Sequence, residues 1–85
     1  MTSKQKLKNL INEINTINGV EYDKLNSYIL SYNKATNNRV YYSLLQVVSE
    51  DGDTISICQW LLYSELRYLL IGILYGWKVG ANQMK

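Results

Sequence analysis

Apolar positions recur at spacings of three and four through residues 2–17, at Leu7, Leu10, Ile11, Ile14 and Ile17. Successive residues of a helix turn by about 100°, so these side chains share one face of an amphipathic helix. Thr2 with Gln5 matches a capping box at its start, and Ser3 is an equally good cap. Asn18-Gly19 is a stop signal, with glycine free to take the left-handed conformation. The same spacing returns in residues 21–35, where Tyr22, Leu25, Tyr28, Ile29 and Tyr32 predict a second helix. Glu21 and Asp23 suit its positive N-terminal end, and Asn37-Asn38 closes it.

The period then changes. Residues 39–48 (RVYYSLLQVV) and 54–60 (TISICQW) are β-branched and aromatic, the composition of strands. Asp51-Gly52 between them predicts a hairpin. With that pair as the whole loop, Val48 faces Ile55, Leu45 faces Cys58 and Ser43 faces Trp60. One face of the ribbon then carries Val40, Tyr42, Leu44, Val48, Ile55 and Ile57, the other Tyr41, Leu45, Val47, Cys58 and Trp60. Two strands alone are not stable in water. One face therefore needs the helices, and the other needs a further partner or further strands.

Residues 60–80 (WLLYSELRYLLIGILYGWKVG) are the most apolar stretch and predict one long helix around which the rest is arranged. Leu62, Leu66, Leu69, Leu70, Ile73 and Trp77 form its expected core face. The opposite side carries Arg67 and Lys78, but also Tyr68, Ile71, Leu74 and Tyr75, too much apolar surface for a small monomer. Gly72, Gly76 and Gly80 recur at spacing four and make a stripe along it. A glycine inside a helix costs about 1 kcal/mol relative to alanine, and the usual offset is close approach of another backbone. Tyr68, Ile71, Gly72, Leu74, Tyr75 and Gly76 are thus the candidate partner-binding set. The neighbour is either this chain's own hairpin or first helix, or the same helix of another subunit or a partner protein; the surplus apolar surface favours the second account. A homo-oligomer is expected. The fold class expected is α+β, a single domain over residues 1–85 in the order α-α-β-β-α, with the hairpin packed with the long C-terminal helix.

Composition narrows the function. A chain of 85 residues with 47% hydrophobic residues is globular but buries a marginal core. A formal charge of +2 does not by itself imply a nucleic-acid partner. Lys4, Lys6 and Lys8 oppose the dipole of the first helix, so helix stability does not explain them. With Arg39 they form the alternative, nucleic-acid-binding set. There is one cysteine and no histidine. An internal disulfide is impossible, a zinc site lacks ligands, and a serine or thiol nucleophile lacks its usual base. Cys58 reads as a small buried hydrophobe in a reducing compartment. Glu50, Asp51 and Asp53 form an acidic turn without the ligand spacing of an EF-hand. No glycine-rich loop opens a helix after a strand, so phosphate-cradling motifs are missing. The expectation is a non-enzymatic protein with no cofactor and no metal.

The longest uncharged run of the last helix, residues 68–77, spans about 15 Å, half of a hydrocarbon core of roughly 30 Å. No membrane span and no signal peptide are expected, and the cytoplasm is the expected compartment.

Heavy use of Asn, Lys, Ile and Tyr reflects A/T-rich codons. The run Tyr32-Asn33-Lys34-Ala35-Thr36-Asn37-Asn38, then Tyr42-Ser43-Leu44, the hairpin, and Ser64-Glu65-Leu66 leading to Leu70-Ile71-Gly72 resembles small proteins encoded by phages and prophages of low-GC Gram-positive bacteria. The resemblance covers roughly residues 28–76 and implies a mobile-element setting, with no activity or site residues to carry over. A protein-binding accessory factor that modulates a host or defence protein is the leading expectation, in the host cytoplasm. A nucleic-acid-binding protein and a phage assembly component are the alternatives.

Overall fold

The computed structural model describes residues 2–35 and 37–83, with side chains up to residue 76. The chain is α+β, with elements α1 (Ser3–Ile17), β1 (Tyr28–Lys34), β2 (Val40–Val47), β3 (Thr54–Leu61) and α2 (Tyr63–Gln83). The strands form one antiparallel sheet in the order β1-β2-β3. The expected helix over residues 21–35 is therefore corrected. Its first half is an irregular turn and its second half is an edge strand. The backbone shows why: Asp23 and Asn26 take positive φ of 68° and 71°, which no α-helix accepts. Tyr28 to Lys34 then pairs with β2 in an unbroken register from Tyr28↔Gln46 to Lys34↔Val40. This strand supplies the third partner that a two-stranded ribbon lacked.

α1 follows the sequence signals closely. The Thr2 hydroxyl accepts from the Gln5 N–H at 3.1 Å, while the Gln5 amide turns to Asn9 instead of closing the box. At the other end, the Gly19 N–H donates to Thr16 and the Val20 N–H to Asn15, the two bonds of a Schellman cap, with Gly19 at φ +74°. α2 starts at Tyr63 rather than Trp60. The Glu65 carboxylate reaches back to accept the Leu62 N–H at 2.9 Å, which ties down the first turn and places a negative charge at the positive end.

The hairpin loop is also longer than expected. Val48 donates to the Asp53 carbonyl, so the loop is residues 49–52 instead of Asp51-Gly52 alone. Ser49 holds it: its hydroxyl accepts from the Asp53 N–H and donates to the Asp53 carboxylate, and Gly52 at φ +93° closes the turn. The register moves accordingly beside the loop, to Gln46↔Ile55 and Leu45↔Ser56, and irregularities on either side of Leu44↔Cys58 return it to the expected pairing at Tyr42↔Leu61. Cys58 thereby joins the face of Tyr42 and Leu44 rather than that of Leu45, and it remains a free, half-buried thiol packed on the core.

Both helices cover that face. The core is Leu7, Ile11 and Ile14 of α1, Tyr42 and Leu44 of β2, and Leu66, Leu70 and Leu74 of α2. Tyr28 and Leu30 of β1 pack against it, so Ile29, Ser31 and Asn33 lie on the opposite, uncovered face. The domain is thus two layers with one open sheet face. Ser27 is fully buried beside the sheet, and among the described residues its hydroxyl has no hydrogen-bond partner. A desolvated, unpaired hydroxyl costs about 1–3 kcal/mol. Ser27→Ala is therefore expected to hold stability constant or raise it by about 1 kcal/mol. A urea midpoint that falls instead overturns this reading of the site.

Candidate functional site

Of the candidate set on α2, Tyr68, Ile71, Gly72, Tyr75 and Gly76 lie at the surface and Leu74 does not. A helix presents residues 68, 72, 75 and 76 on one side, and Arg67, Tyr68, Ile71, Gly72 and Tyr75 line a shallow apolar groove of about 380 Å³. Tyr68 is 82% exposed and Tyr75 69% exposed, with Ile71 also at the surface. Leu74 is the correction within this set. It is buried in the core cluster, one turn beyond Leu70, and so faces inward. Leu69, expected on the core face, is exposed in its place, and Ile73 is half-buried. The buried seam runs Leu66, Leu70, Leu74, rotated by part of a turn from the expected one. The side chain of Trp77, expected to anchor the helix, and the positions of Lys78 and Gly80 on its faces lie outside the described side chains.

The glycines decide between the two accounts of the stripe. Among the described residues, a Cβ built on Gly72 or Gly76 meets nothing within 4 Å. Neither the hairpin nor α1 approaches them, so the intramolecular account is overturned. The space above both glycines is open to another molecule.

The basic set does not form one patch. Lys4 and Lys8 stand one turn apart on the same side of α1, whereas Lys6 turns about 200° away from Lys4. The Lys4 ammonium lies 4.2 Å over the Tyr32 ring and that of Lys8 4.9 Å over the Tyr22 ring. Part of their role is therefore to join α1 to β1, through Tyr32, and to the turn before it, through Tyr22. Arg39 is exposed in the β1–β2 connection, where its carbonyl accepts from the Ala35 N–H and Asn38 takes φ +65°.

Two features were not flagged by sequence. One is an open groove of about 440 Å³ between the helices, lined by Asn9, Asn12, Glu13, Thr16, Ile17 and Leu74. The other is a contact between Tyr41 and Trp60, whose rings meet edge to face at 5.9 Å on the open side of the sheet. Trp60 sits at φ +59°, a left-handed backbone that bulky side chains rarely adopt. No sequence signal short of the β3 irregularity marks it. Among the described residues, no group of three or more His, Cys, Asp or Glu is placed to hold a metal, and no helix is long and apolar enough to cross a membrane. No family model, curated protein or solved structure matches the chain.

Proposed function

We propose that this protein is a small binding module that works through the outer face of α2, docking it against a helix of a protein partner. A second copy of the chain is the first such partner expected. The single observation that carries the reading is the open space over Gly72 and Gly76, flanked by the exposed rings of Tyr68 and Tyr75. Two helix-interior glycines are kept at a cost of about 1 kcal/mol each relative to alanine. No contact within the described chain offsets that cost. A second helix seated there gains backbone approach over the glycines and buries both tyrosines, whose hydroxyls suit a partly wet boundary. The mobile-element resemblance fits this proposal. A small accessory factor needs only a surface that engages a host or defence protein.

Gly72→Leu tests it. With nothing near the added side chain, the isolated subunit is expected to gain about 0.5–1 kcal/mol from better helix propensity. Association is expected to weaken by about 1–3 kcal/mol, because the leucine overfills the contact. Sedimentation at micromolar concentration, read beside a thermal melt, separates the two effects. Wild-type protein that sediments as more than a monomer, and a variant that dissociates while melting no lower, is the expected pair of results. Unchanged sedimentation of an associating protein sinks the proposal for self-association.

A further inference from the structure

We infer a second binding surface, on the open face of the sheet, that takes single-stranded nucleic acid by stacking bases on Trp60 and Tyr41. Charge is the first ground. None of the three strands contains an Asp or a Glu. The carboxylates of Glu21, Asp23, Glu50, Asp51 and Asp53 gather at one end of the sheet, in the turn before β1 and the β2–β3 loop. At the other end stands Arg39, in the β1–β2 connection and one residue before core-facing Val40, so that it alternates toward the open face; Lys34 and Lys4 lie at that end too, but on the side the helices cover. Glu65 also lies toward that end, but its carboxylate is engaged by the Leu62 N–H. An extended polyanion therefore meets an acid-free sheet face with the Arg39 guanidinium at one entrance.

The rings are at that same entrance. Leu61, next to Trp60, pairs with Tyr42, next to Tyr41, and Arg39 precedes Tyr41 by two residues along the chain. Two residues of strand span about 7 Å, close to the separation of a base from a neighbouring phosphate. Trp60 is 57% exposed, although its indole leans on Tyr41. Its left-handed backbone is the conformation of highest strain among the described residues, since the others at positive φ are Asp, Asn or Gly. Strain of this kind concentrates at functional sites. Bases stack on exposed rings regardless of sequence, and Asn33, opposite Tyr41, offers hydrogen-bonding groups beside them. A duplex cannot present its base faces in this way, so the surface selects single strands.

Fluorescence anisotropy with a labelled oligothymidylate of about 12 nucleotides tests the inference. Wild type is expected to bind it, with affinity falling steeply between about 50 and 200 mM salt. Trp60→Gly is the decisive variant, because glycine accepts the left-handed backbone and the fold is kept. It is expected to weaken binding by roughly 5- to 100-fold. Arg39→Glu is expected to weaken binding and lower the salt slope by about one. Tyr68→Ala, on the α2 face, is expected to leave oligonucleotide affinity unchanged, which keeps the two surfaces separable. No binding at low salt overturns the inference. So does equal binding of a duplex or of polyglutamate that Trp60→Gly does not alter, since that is charge attraction alone.

Discussion

Leu70→Ala is expected to cost about 3–5 kcal/mol and to leave the protein largely unfolded at ambient temperature. Leu70 is fully buried in the middle of the α2 seam, between Leu66 and Leu74, where α2 meets α1 and the sheet. Truncating such a leucine removes its transfer free energy and leaves a cavity that rigid neighbours cannot fill. A domain of this size starts near the lower end of the roughly 5–15 kcal/mol that globular domains have in hand. Urea unfolding followed by circular dichroism gives the difference directly. The neighbour Leu69 is the control. It is exposed, and Leu69→Ala is expected to cost under about 1 kcal/mol. Equal losses at the two positions would show that the seam of α2 is misplaced and that the outer face proposed for docking is not the one Tyr68 and Tyr75 mark.

That contrast also marks where the sequence was legible. α1, β2, β3 and α2 each had ten or so residues of consistent period, or turn chemistry at an end, and local signals were enough. The stop at Asn18-Gly19 and the cap at Thr2 appear where the residue types demand them. Residues 21–35 misled because seven residues satisfy two periods at once. Tyr28, Ile29 and Tyr32 make a helical face, while Tyr28 and Leu30 alternating with Ile29 and Ser31 make a strand. What decides is tertiary: β2 offers a free ladder of N–H and C=O groups, and pairing them outweighs a weak helix preference. The sheet's need for a third strand could be read from the ribbon, but not which segment would supply it. The rotation of the α2 seam failed for a similar reason. Its leucines and isoleucines surround much of the helix, and only contact with α1 and β2 selects Leu66, Leu70 and Leu74. On α2, the surface position of Tyr68, Ile71, Gly72 and Tyr75 was legible because glycines in a helix are anomalous in any context. Tyr41 and Trp60 were placed on one face of the ribbon by the sequence, but their direct contact, at a left-handed Trp60 in an irregular β3, has no local signal.

Asn15→Leu is expected to cost about 2–4 kcal/mol, although leucine has the better helix propensity and nearly the same shape. Asn15 is 1% exposed on the sheet side of α1. Its side-chain amide imitates a strand neighbour: Nδ2 donates to the Tyr28 carbonyl at 2.9 Å, and Oδ1 accepts the Tyr28 N–H at 2.8 Å. Two residues along, the Tyr22 hydroxyl accepts the Leu30 N–H at 3.0 Å. These contacts occupy the outward groups of β1, an edge strand that would otherwise template pairing with another chain. Leucine satisfies neither Tyr28 group, and each unpaired group costs about 1–3 kcal/mol. The variant is therefore expected to unfold at lower urea and to lose hydrogen-exchange protection at the Tyr28 amide. Asn15→Asp separates the two bonds. Its carboxylate keeps the acceptor for the N–H but faces the carbonyl with no donor, so burial and repulsion raise its folded-state pKa. The penalty is then complete above that raised value and lost as pH falls below the unfolded value of about 3.9, where a protonated carboxyl donates again. An aspartate variant whose deficit relative to the parent does not shrink on acidification removes the Tyr28 carbonyl bond from this account of the β1 edge.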